Sequence, residues 1–148
     1  MKKILFYGLL VVSGLTACSS TRPVSDSNAI EWHVVEPKTN DLIGRWVFPD
    51  QGCTEYFDYR ANGSFTSTSF HEKVEGRYSV ERIRGSNATM KIRRVVRYDN
   101  RQADCQGSRL DATGLRTIHY LVFDASKKRL RVCEDAAANR CFGPLLRY

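Results

Sequence analysis

The sequence predicts an all-β domain, a compact eight-stranded up-and-down antiparallel barrel behind a flexible N-terminal tether. Three observations carry this. From about residue 42 apolar side chains recur with period two, turn residues interrupt them at short intervals, and no segment shows a sustained 3.6-residue apolar stripe. The 148 residues fit one domain, and 42% hydrophobic with 26% charged residues is ordinary for a chain that buries a core.

Taken in order, the candidate strands are 43–48, 54–60, 64–70, 76–83, 89–98, 115–124, 129–134 and 140–147. The connections are Pro49-Asp50-Gln51-Gly52, Ala61-Asn62-Gly63, Glu72-Lys73-Val74-Glu75, Arg84-Gly85-Ser86-Asn87, the longer polar stretch 100–114, and Ala125-Ser126-Lys127-Lys128. Asn62-Gly63 is the strongest turn signal, because both central residues of a type I′ turn need positive φ. Residues 136–138 fit a single helical turn. Consecutive strands joined mostly by hairpins form a meander, and closing it into a barrel removes two exposed edges. Residues 42–148 are few for eight strands, so side chains should largely fill the interior.

In strand 89–98 the alternation sets Met90, Ile92, Val96 and Tyr98 on one face. Lys91, Arg93 and Arg97 form a basic ridge on the other, continued by Arg116 on the next strand. Such a ridge suits anionic headgroups, glycan or an acidic partner. A solvated outer face that discourages strand pairing is the simpler reading.

The chain opens MKKILFYGLLVVSGLTAC. Lys2 and Lys3 precede the short apolar run 4–12, and small residues lead to Cys18. Leu15-Thr16-Ala17-Cys18 resembles a bacterial lipobox. The resemblance implies a lipoprotein signal peptide over 1–17, removed by cleavage, with Cys18 carrying acyl chains such as palmitate. Two or three chains anchor stably where one is marginal. Ser19 after the cysteine, by analogy with enterobacterial lipoproteins, implies sorting to the outer membrane, facing the periplasm. Residues 18–41, rich in Ser, Thr, Asn, Asp and Pro, then read as a lipidated linker, with Ile30-Glu31-Trp32-His33-Val34 as one alternating stretch inside it. Beyond the leader there is no second apolar run of about 20 residues, hence no membrane-spanning helix. Losing Lys2 and Lys3 with the leader lowers the net charge from +7 to +5. That excess is spread too thinly to argue for nucleic acid.

The domain's first strand carries Asn40-Asp41-Leu42-Ile43-Gly44-Arg45-Trp46. Gly44-x-Trp46 after a short turn resembles the opening of a lipocalin, a family that also stacks an arginine from the chain's end on that Trp. Arg147 is the matching residue. The second lipocalin signature, Thr-Asp-Tyr, is absent, and the chain is shorter than a typical lipocalin. The resemblance implies a lipocalin-like barrel over 42–148. Gly-x-Trp at the start of a small barrel is similar, too, to periplasmic inhibitors of serralysin-type metalloproteases.

Cys53, Cys105, Cys133 and Cys141 form an even set in an exported chain, which reads as two disulfides. In an alternating meander all four sit on connections at one barrel end. Pairing Cys133 with Cys141 across the last hairpin, leaving Cys53 with Cys105, is preferred; joining Cys53 to Cys141 or to Cys133 stays open.

Catalytic signals are lacking. His33, His71 and His119 are isolated in sequence and there is no Cys-x-x-Cys, which argues against a metal. No nucleophile pairs with His119 by motif, and Asp50, Glu55 and Asp58 make no recognisable carboxylate pair. His71 reads as a solvated turn residue and His119 as an interior one. No cofactor is expected. Two functions remain: a non-catalytic envelope module that grips a protein partner with the disulfide end and the 100–114 loop, protease inhibition being one form, or a lipocalin-like carrier of a small apolar ligand or lipid. A small barrel lined with aromatics favours the first, since ligand pockets need roughly 300 Å³ or more.

Overall fold

The computed structural model describes residues 38–50 and 52–148. Cys18, the leader and the 30–34 stretch lie outside the described residues. Eight strands follow a short 3₁₀ turn at Thr39–Leu42. They are β1 (Gly44–Asp50), β2 (Cys53–Tyr59), β3 (Ser64–Ser69), β4 (Glu72–Arg82), β5 (Met90–Asp99), β6 (Arg116–Phe123), β7 (Arg129–Cys133) and β8 (Cys141–Arg147). Each pairs antiparallel with its neighbours in sequence order, and β8 returns to β1, so the all-β meander closes into a barrel.

Period-two alternation turns one side chain in two inward. Leu42, Trp46, Met90, Ile92, Leu121, Phe123, Leu130 and Leu145 are almost fully buried and form the densest part of the core. They gather at the end closed by the 3₁₀ turn. Trp46 donates from Nε1 to the Leu42 carbonyl at 2.8 Å and meets Phe123 edge-on at 5.8 Å between centroids. The Arg147 guanidinium lies 4.4 Å from the Trp46 ring centroid. It also donates to the carbonyls of Ile43 (2.9 Å), Lys127 (3.3 Å) and Asp41.

The β1–β8 seam is short. Only Trp46 with Arg147 and Val47 with Leu146 are in register, and further along Phe48 meets Phe142 edge-on at 6.3 Å.

The structure corrects four local readings. Strand β4 starts at Glu72, so the stretch taken for a turn is paired sheet, and the connection shrinks to Phe70 and His71, with Phe70 at φ 54°. Sequence suggested a turn because Glu72-Lys73-Val74-Glu75 is mostly charged, yet Val74 is buried. The β2–β3 turn is not type I′. Only Gly63 has positive φ (76°), and its N–H closes onto the Arg60 carbonyl at 3.0 Å. Tyr98 is outside the barrel, 51% exposed, because Gly76 faces Val96 while Glu75 faces Tyr98. Arg97 is the extra residue of that bulge, and the slip turns Asp99 inward to burial.

The fourth correction concerns the cysteines. The disulfides are Cys53–Cys105 and Cys133–Cys141, the preferred pairing. They do not share one end. The β7–β8 connection folds back to meet the β4–β5 connection, which belongs to the opposite end: the Ala88 N–H donates to the Ala136 carbonyl at 3.0 Å and Asn87 Nδ2 to that of Ala137 at 2.8 Å. Cys133 is thus buried with Ala88 and Val122 in a second, small apolar cluster. Only Cys53–Cys105 staples the end that carries the β5–β6 loop.

Candidate functional site

The β5–β6 connection is the longest in the domain, and its ends are tied to the sheet through Asp99 and Asn100. Buried Asp99 accepts from the Arg101 N–H (2.7 Å) and, thirteen residues on, from that of Ala112 (2.8 Å). Asn100 accepts from the Lys73 N–H at 2.9 Å and donates to the His71 carbonyl at 2.9 Å. The Ala103 carbonyl receives the N–H groups of His71 and Glu72, Cys105 N–H donates to Ser69 Oγ at 3.0 Å, and the Cys53–Cys105 bridge adds a covalent tie.

Within the loop, Asp104 accepts from the N–H groups of Gln106 (2.9 Å) and Ser108 (2.7 Å). On the far side Asp111 pairs with Arg101 at 2.7 Å. Arg109 and Leu110 are left between these two anchors, both exposed, Leu110 at 78%. Fixed backbone on either side of a protruding apolar side chain is a preorganised contact surface, because little chain entropy remains to be lost on binding. Phe70, 59% exposed, tops the neighbouring β3–β4 turn, with the exposed His71 ring 3.8 Å from its own.

Beneath this loop the barrel mouth holds a cavity of about 170 Å³. Its walls include Phe65, Ser67, Glu72, Arg94, Leu115 and Thr117. Arg94 points inward, its guanidinium 3.2 Å from His119 Nδ1 and 3.4 Å from the Tyr59 hydroxyl. Burial, and then the Arg94 charge, hold the His119 imidazole below its ordinary range, so its neutral form accepts the Arg94 N–H. Burial, then the negative charges of Asp99, Asp104 and Glu55, push the Glu72 carboxyl up. A larger depression of about 510 Å³ lies over Arg45, Asp58, Thr66, Lys73 and Glu75. Most of its charges are paired, Arg45 with Asp58 at 2.8 Å and Lys73 with Glu75 at 2.6 Å, while Arg60 in the same lining donates to Thr66 Oγ1 at 3.0 Å.

The basic ridge is divided. Lys91 (3.4 Å) and Arg93 (2.9 Å) both pair with Glu81, while Arg97 and Arg116 stand exposed. Glu81 therefore offsets one of the ridge's four positive charges and draws two of them together. Gly44, Trp46 and Arg147 come together at the closed end, away from the loop. Among the described residues no group of His, Cys, Asp or Glu is placed to hold a metal ion, and no helix is long and apolar enough to cross a membrane.

Sequence reasoning passed over Arg94, Glu72 and Asp99. Arg94 was legible, since it alternates with Ile92 and Val96. Glu72 was hidden by its assignment to a turn, and Asp99 by the bulge. The fold and site define a closed eight-stranded antiparallel barrel with one stapled, loop-bearing end. No protein-family model, curated protein or solved structure matches this chain.

Proposed function

We propose that this chain is a lipid-anchored protein of the bacterial outer membrane, facing the periplasm, whose barrel is a non-catalytic protein-binding module. Cys18 carries the anchor in this reading, and the residues between it and the Thr39–Leu42 turn, which the structure joins to the barrel, hold the barrel off the bilayer. The observation that carries the binding role is the pinned β5–β6 loop with Arg109 and Leu110 displayed between its anchors. The packed interior supports it as well. Among the described residues the mouth cavity, about 170 Å³, falls below the roughly 300 Å³ at which pockets for drug-sized ligands begin, which disfavours a lipid there. Inhibition of a protease is one form such a contact takes.

The test is photo-crosslinking in intact cells from a probe at Leu110, against a control probe at Ser126 on the other end. One discrete envelope-protein adduct from Leu110, absent from Ser126 and lost in Arg109→Glu, is expected. A stoichiometric lipid in an organic extract of the purified protein, with no adduct, overturns the reading in favour of a carrier. For the anchor, Cys18→Ala should move the chain out of the membrane fraction. Wild type found in the soluble periplasm would refute it.

A further inference from the structure

The mouth cavity carries two opposite charges that do not meet. Arg94 hydrogen-bonds only neutral groups, the Tyr59 hydroxyl and His119 Nδ1, and among the described residues it has no carboxylate partner. Guanidinium groups held inside proteins normally sit against a carboxylate or phosphate, in charge-assisted and often bidentate bonds. Arg94 has N–H groups left over for such a bond, since two of its five are engaged. Glu72 lines the same cavity, and among the described residues its carboxylate receives no hydrogen bond and no cation. Asp99, Asp104 and Glu55 add to the negative potential around it. A positive group would be favoured beside Glu72 and a negative group beside Arg94.

We propose that the mouth cavity is a binding site for a small free α-amino acid, with the ligand carboxylate on Arg94 and its ammonium on Glu72. The remaining walls fit that class. Ser67 and Thr117 offer hydroxyls near the charged ends, while Phe65, Val96 and Leu115 offer an apolar surface for a short side chain. The volume of about 170 Å³ limits the ligand to something much smaller than a lipid. Leu115, 53% exposed, stands where the cavity meets the surface, so entry needs no opening of the barrel. This site is separate from the protein contact at Arg109 and Leu110, and either can fail without the other.

The test is amide NMR on the purified protein with glycine, L-serine and L-valine, and with the valine analogues that lack one charged group each, isovalerate and isobutylamine. At least one amino acid should shift the resonances of Ser67, Val74 and Thr117. L-valine should bind about tenfold or more tightly than either analogue, the ratio expected for one charge-assisted bond. Glu72→Gln should bring valine down to the level of isovalerate, and Arg94→Met to that of isobutylamine. Leu115→Trp, which leaves both charges in place, should block all of them. Isovalerate binding as tightly as valine, with Glu72→Gln without effect, would show a plain anion site and overturn the proposal. So would the absence of any shift at about 10 mM, ten times a millimolar Kd. Should Arg94→Met fail to fold, the Glu72→Gln and isovalerate comparison still decides.

Discussion

Removing Arg147 should cost the barrel about 3 kcal/mol. Its guanidinium lies 4.4 Å from the Trp46 ring centroid, and its N–H groups reach the carbonyls of Asp41, Ile43 and Lys127. Stacking of a cation on an indole contributes about 0.5–2 kcal/mol. Three bonds from a charged donor would give about 1.5 kcal/mol each if fully buried, but these carbonyls are near solvent and water replaces roughly half of that. Arg147→Met should therefore lower the urea midpoint by the equivalent of about 3 kcal/mol, and Tm by on the order of 10 °C for a domain near 100 residues. Arg147→Lys keeps a cation near the ring but loses the planar fork that reaches two chain segments at once, so it should recover only about 1 kcal/mol. The assay is equilibrium urea unfolding followed by Trp46 emission in a Trp32→Phe background. Arg147→Met within about 0.5 kcal/mol of the parent would refute the argument. A lysine variant as stable as wild type would refute the part that rests on the fork.

Gly76→Ala tests the bulge: a Cβ there would stand 2.2 Å from the Val95 carbonyl oxygen and 2.6 Å from Phe65 Cε1. Because one neighbour is backbone, the cost should reach the upper end of overpacking, about 3 kcal/mol, and Phe65→Leu should restore only part of it; full rescue would contradict this. His119 sets a pH dependence, its folded pKa lying below the ordinary 6.5. The unfolded chain then binds more protons in that window, so stability should be flat above about pH 6.5 and fall as pH drops toward the folded value. His119→Gln should flatten that slope in urea titrations. Glu72, shifted up, contributes the opposite sign at lower pH, so the comparison belongs in a Glu72→Gln background. An unchanged slope would mean that His119 is not held neutral.

The barrel was legible because its signal is local and repeated. Trp46, Phe57, Phe65, Ile92, Leu121 and Leu130 each sit at a period-two position, and an inward face needs nothing more. What sequence could not carry was the phase after an insertion. One bulged residue, Arg97, reverses Tyr98 and Asp99 together, and no composition cue marks it except Gly76 on the partner strand, where a side chain has no room. The strand start at Glu72 was lost for another reason: charged residues are allowed at a barrel rim, where local composition resembles a turn. The placement of Cys133 and Cys141 failed because the path of a connection over the outer wall depends on contacts such as Ala88 with Ala136, distant in sequence. The candidate site was legible as a loop, by length and polarity, but not as a rigid one. Its stiffness comes from Asp99 and Asn100 bonding across many residues.

The short β1–β8 seam leaves lengths of both strands without a partner in register. Unsatisfied strand edges invite pairing with a second molecule. Here each strand carries a proline in its unpaired length, Pro49 in β1 and Pro144 in β8. Neither can donate a ladder hydrogen bond, so a foreign strand entering the gap would find a missing donor on each side. Gly143, beside Pro144 with φ 112°, breaks the extended run further. The lengths of β1 and β8 without a partner in register are thus chemically blunted against pairing with another chain.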